Sequence, residues 1–123
     1  MRIWDIPARR LCRSHLLAEH RELHAIWSII LNGKKGYSRH PEVLRWDGKL
    51  GTLWLRHEEQ RKEMIRRGFE HDSPLHIGDV PKELVGDGNP CYLETPSEQL
   101  RRLSRKGCAC DTGATPQSPP NRT

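Results

Sequence analysis

Apolar residues recur along the first third of the chain with a ragged helical spacing, at Leu11, Leu16, Leu23, Ile26, Trp27 and Ile30. Pro7 suits a first-turn position and Asn32-Gly33 suits a stop, so the pattern predicts one long helix over about 8–31. On it His15, Glu19, Glu22 and Ile26 are four, three and four residues apart, which puts the three polar side chains on one face. A basic, glycine-containing loop follows from Lys34 to His40, then Pro41 opens a short helix through about Trp46 that closes at Asp47-Gly48. The next helix is predicted over about 49–67. Leu50, Leu53, Trp54, His57, Met64 and Ile65 form its apolar side, Glu58, Glu59, Arg61, Lys62 and Arg66 its solvated face, and Gly68 its terminator. No stretch of useful length alternates with period two, so no strands are expected.

Beyond the third helix the punctuation changes. Pro74, Pro81, Pro90 and Pro96 with several glycines predict an ordered loop over 70–96 that wraps the helices, and a last, arginine-rich helix is expected over 97–106 with Ser97 as its cap. From Gly107 onward Gly, Thr, Ser, Pro and Asn dominate, which predicts a disordered tail. The expected fold is all-α: a single domain over 1–106 with three main helices and an ordered Pro/Gly loop, its amino terminus tucked against the Glu22 face, followed by the tail over 107–123.

A chain of 123 residues, 34% hydrophobic and 30% charged, allows one small core under a heavily charged surface. Twenty-one Lys and Arg against sixteen Asp and Glu give +5, which favours a polyanionic partner. No apolar run approaches the ~18 residues of a membrane span, and Met1 to Leu17 is too charged for a secretory signal; a cytoplasmic chain is expected, with Cys12, Cys91, Cys108 and Cys110 as thiols. No CxxC pair is present, and Cys108-Ala109-Cys110 reads as a poor zinc half-site because it falls in the predicted tail. His20 and His24 at i,i+4 could chelate one ion with Glu19 or His40, but HRELH is not HExxH: its glutamate is misplaced for a zinc hydrolase. Neither a metal nor a cofactor is expected.

An ordered set of segments carries more information than any of these features. Met1-Arg2-Ile3, HLLAEHREL from His15 to Leu23, the Asn32-Gly33-Lys34 turn, the helix from Lys49-Leu50 to Arg67-Gly68-Phe69, and Ile77 to Asp87 follow one another along residues 1 to about 87. Together they resemble the pyrimidine-dimer DNA glycosylases of the endonuclease V type. The resemblance implies a metal-free glycosylase coupled to strand cleavage. An amino-terminal α-amine attacks the sugar C1′, the base leaves, and the resulting imine permits β-elimination of the phosphate. An α-amine with an ordinary pKa of roughly 7.7–8.0 is partly neutral near pH 7, where a lysine at ~10.4 is not.

By the same resemblance Met1 supplies the amine, since the bulky Arg2 should block removal of the initiator methionine. Glu22 corresponds to the carboxylate that holds the opened sugar and moves protons, although taken alone it would read as a solvated helix glutamate. Arg2 and Arg21 correspond to phosphate-facing positions and His15 to a residue lining the site, while Glu19 would orient Arg or His neighbours. Lys34 and Lys35, with Arg39, form a positive loop, and Arg61, Lys62, Arg66 and Arg67 a helix patch, both suited to phosphates. The implied partner is double-stranded DNA carrying UV photoproducts or abasic sites, bound by a nucleoid-associated monomer. Two features depart from the family's phage representative: Ala25 replaces an arginine, and no aromatic-rich carboxy-terminal segment is present. A non-catalytic damaged-DNA-binding member of the same fold, its Met1 unreactive, is the alternative.

Overall fold

A computed structural model describes residues 1–33, 39–70 and 73–113. Its helices are α1 (Arg13–Asn32), α2 (Pro41–Trp46), α3 (Leu50–Arg66), α4 (Lys82–Val85) and α5 (Pro96–Arg105), with 3₁₀ turns at Ala8–Arg10 and Ile77–Asp79. No strand occurs among the described residues, and none of their helices is long and apolar enough to cross a membrane.

Helix α1 starts at Arg13, not near residue 8, because Leu11 and Cys12 are extended (φ/ψ −81/140° and −71/169°). Pro7 opens a 3₁₀ turn instead. The Arg67 guanidinium holds this corner by donating to the carbonyls of Ala8 (3.4 Å), Arg9 (3.2 Å) and Leu11 (2.7 Å), which no local signal announces. The far end follows expectation: Gly33 takes the left-handed conformation (φ 62°) and its N–H turns back to α1.

Helices α2 and α3 lie where their spacing places them, but the buried face of α3 is more polar than predicted. Ile65 is exposed, whereas Gln60 and Glu63 are buried. The exchange is tolerable because both polar groups are satisfied: Gln60 bridges Glu19 and His20, and Glu63 accepts from Arg66 and Arg67. Helix α5 begins one residue before Ser97, at Pro96, with Thr95 as its cap. Thr95 Oγ1 accepts from the Glu98 N–H while Glu98 accepts from the Thr95 N–H, a reciprocal capping box. The 70–96 segment contains α4 and the second 3₁₀ turn, and Trp54 pins it by donating to the Leu75 carbonyl (3.0 Å). At Gly86 a Cβ would come 1.8 Å from the Gly48 carbonyl oxygen, so only glycine permits this crossing.

The core has two halves, and the extended amino-terminal lead contributes to both. Ile3 packs with Leu23, Ile26, Trp27, Trp46, Leu50 and Leu53. Trp4, Ile6 and Ala8 pack with Leu11, Leu16, Met64 and Leu103. Fully burying Ile3 and Ile6 is worth about 1.5–3 kcal/mol each, so the first residues of the chain are structural elements as well as a terminus.

Candidate active site

The position of the amino terminus follows from how the lead satisfies its backbone donors. The Arg2 N–H donates to Glu22 (2.8 Å) and the Trp4 N–H to Glu19 (2.7 Å), both on α1. The Asp5 N–H donates to Gln99 of α5 (2.7 Å) and the Ala8 N–H to Glu59 of α3 (2.7 Å). Side chains from three helices thus replace the sheet partner that an extended segment would otherwise need. Asp5 adds a bidentate pair with buried Arg45 and accepts from Gln99 (2.9 Å). As residue number rises along the lead it falls along α1, so the chain runs back against the helix and delivers its first amine to Glu22.

The Met1 α-amine lies 3.3 Å from Glu22 Oε1, with the Met1 side chain 12% and the Glu22 side chain 37% exposed. Beside them opens a cleft of about 320 Å³ lined by Arg2, Trp4, His15, Ala18, Glu19, Glu22, Arg102 and Lys106. The Arg2 guanidinium stacks 4.5 Å above the Trp4 ring and also donates to Glu94 (3.0 Å). Arg102 donates to the same carboxylate, and its hydrogen bonds, reinforced by Arg2, hold Glu94 down at about 2. Burial, together with the positive Lys106, lowers the His15 pKa and favours the neutral imidazole, against a smaller opposing effect of Glu19. The cleft therefore carries a carboxylate that meets the Met1 α-amine at its edge, and it is walled by two arginines and a lysine.

Of the residues expected at a site, Met1, Arg2, His15 and Glu22 are brought together. Arg21 is exposed on α1 and does not line the cleft, since consecutive helix residues point about 100° apart. Lys34 and Lys35 lie outside the described residues. Glu19 does orient an arginine: buried, it accepts from Arg56 (2.6 and 3.1 Å), Gln60 and the Trp4 N–H. Its negative charge raises the Arg56 pKa against the cost of burial. Trp4, Arg102 and Lys106 line the cleft although nothing in the sequence reading places them at a site. The i,i+4 spacing of Arg102 and Lys106 in the arginine-rich segment was the available signal for two of them.

Two clusters change the metal-ligand picture. His57 of α3 joins His20 and His24, their ligand atoms within 4.8 Å of one another. Neither partner first considered belongs to this group: Glu19 is taken up by Arg56 and Gln60, and His40 caps α2 by accepting from the Glu42 N–H (3.1 Å). Cys108 and Cys110, read from sequence as an isolated pair in a tail, are packed against Cys12 and His15 at the start of α1. Residues 107–113 follow α5 directly, and the Asp111 N–H donates to the Arg10 carbonyl (2.7 Å).

No curated protein matches the chain. A sequence model of a protein family described as pyrimidine dimer DNA glycosylase matches residues 1–77. That span holds the lead, α1, α2 and α3, hence the Met1–Glu22 pair, Arg2 and His15; Arg102 and Lys106 lie beyond it. The chain belongs to the pyrimidine dimer DNA glycosylase family.

Proposed function

We propose that the chain is a DNA glycosylase with AP lyase activity, acting on double-stranded DNA at pyrimidine dimers and abasic sites through the α-amine of Met1. The observation that carries this reading is the 3.3 Å approach of that amine to a half-exposed carboxylate at the edge of a basic cleft. A neutral amine attacks C1′ of the damaged nucleotide as the bond to the base breaks and the base departs with the bonding electrons. Loss of a proton from nitrogen and opening of the sugar ring give an imine. The imine acidifies the C2′ hydrogen, and removal of that proton expels the 3′ phosphate by β-elimination.

Glu22 serves two parts of this sequence in this reading. Its carboxylate stabilises positive charge on the sugar and the iminium nitrogen, and it can take up the C2′ proton. Arg2, Arg102 and Lys106 face the phosphates flanking the extruded nucleotide, while neutral His15 forms the wall beside the sugar.

The test uses a duplex with one cyclobutane dimer or one abasic site, incubated without added divalent metal. Nicking is expected, together with a covalent protein–DNA adduct on borohydride reduction, and acetylating the amino terminus should abolish both. Undiminished nicking by the acetylated protein would overturn the amine assignment. Tight binding of damaged duplex with neither nick nor adduct would establish the non-catalytic alternative.

A further inference from the structure

We infer that Cys12, His15, Cys108 and Cys110 form a structural zinc site that fastens the chain after α5 to the first turn of α1. The three sulfurs and a ring nitrogen lie within 4.8 Å of one another. Cys12 Sγ is 3.2 Å and Cys110 Sγ 3.3 Å from His15 Nδ1. Zinc bonds of ~2.3 Å to sulfur and ~2.0–2.1 Å to nitrogen, arranged tetrahedrally, need ligand atoms about 3.6–3.8 Å apart, so shifts of a few tenths of an ångström around His15 and of no more than about 1 Å elsewhere would admit the ion. Three thiolates and one imidazole make a complete, closed ligand set, the type found at structural rather than catalytic zinc.

The position of Cys12 suits a thiolate ligand. Cys12 is the cap residue of α1, where the helix N-terminus favours negative charge, and its own N–H donates to Cys110 Sγ (3.0 Å). The segment carrying Cys108 and Cys110 is held independently of any ion, by Asp111 N–H to Arg10 O and by Arg10 Nε to Asp111 O (2.8 Å). Zinc here would close a loop of 98 residues between Cys12 and Cys110, where local sequence supplies little cohesion. It would also fix the His15 ring, which packs edge-on against Trp4 at 5.7 Å in the cleft wall.

The inference rests on the cysteine cluster and not on the proposed reaction, and its test reads metal rather than nicking. Full-length protein in reducing buffer is titrated with Co²⁺. One equivalent should give tetrahedral ligand-field bands together with thiolate-to-cobalt charge transfer, and Zn²⁺ should abolish both. The Cys108→Ala/Cys110→Ala double variant should lose the charge-transfer bands and bind at least about 100-fold more weakly, whereas His24→Gln should change neither. Alkylation gives a second reading that needs no variant. Zinc should protect Cys12, Cys108 and Cys110 from iodoacetamide, a chelator should expose them, and surface Cys91 should react throughout. Zinc should also raise Tm by about 10 °C or more. Absence of stoichiometric binding, a cobalt spectrum without thiolate bands, as the His20–His24–His57 group would give, or equal alkylation with and without zinc would overturn the site.

Discussion

Glu19 and Glu22 stand one turn apart on the same face of α1, and each accepts a backbone N–H from the amino-terminal lead. Around Glu19 the structure is closed. The residue is 2% exposed, and Arg56, Gln60 and the Trp4 N–H occupy its oxygens, so it has no capacity left for a substrate. Around Glu22 the structure is open, with one oxygen shared between the Arg2 N–H and the α-amine at the mouth of the cleft. The same residue type on the same helix is an anchor where it is buried and saturated. Where it is half exposed beside an amine it becomes available for proton transfer.

Separating these two roles by mutation should give the largest effects. Glu19→Gln leaves nearly buried Arg56 with only the partly exposed Glu59 as counter-charge, and a loss of about 1.5–3 kcal/mol of stability is expected in urea unfolding. Little change would mean that the seam is not the anchor described. Glu22→Gln keeps the shape and the Arg2 hydrogen bond but removes the charge. Turnover on an abasic-site duplex should fall by about 10²-fold or more, with stability within about 0.5 kcal/mol of wild type. Should Glu22→Gln instead unfold the protein while leaving the turnover of its folded fraction intact, the two carboxylates would have exchanged roles.

Smaller effects probe the basic wall of the open region. Arg102→Gln removes one cleft cation, so the slope of log affinity against log salt should become shallower by about 1 for damaged and undamaged duplex alike. Arg21→Gln tests a residue expected from the resemblance to touch phosphate but lying outside the cleft. A comparable change there would extend the footprint along α1. The mildest effect concerns Glu94, which Arg102 and Arg2 hold at about 2 against an unfolded value near 4.5. Because the folded value is depressed, its contribution is present above about pH 4.5 and is lost as pH falls toward 2. Wild type should therefore lose slightly more stability than Glu94→Gln between pH 5 and pH 2.5, measured as the shift in urea midpoint.

What could be read from sequence was local. Gly33 as the stop of α1, Pro41 as the opening of α2 and the boundaries of α3 all follow from neighbouring residues. The shared face of His15, Glu19 and Glu22 follows from helical spacing, but the division of labour between the glutamates does not. It depends on Arg56 and Gln60, 37 and 41 residues away from Glu19. The late start of α1 was hidden for the same reason, since Arg67 holds the 3₁₀ corner from the end of α3. Thr95-Pro96-Ser97-Glu98 contains the capping-box signal, since Glu98 stands three residues after Thr95, whereas Ser97 has no such reciprocal partner in the box. Cys108 and Cys110 were unreadable as partners of Cys12, because a pair separated by about a hundred residues leaves no periodicity to detect.

Reduction of the enzyme–DNA intermediate with borohydride, followed by proteolysis and mass spectrometry of the nucleotide-bearing peptide, interrogates the Met1–Glu22 pair itself. The adduct is expected on the α-amino nitrogen of Met1, in the peptide that begins the chain. An adduct on a lysine side chain, or nicking that proceeds with no trapped species at all, would contradict the assignment of the amino terminus as the reacting group.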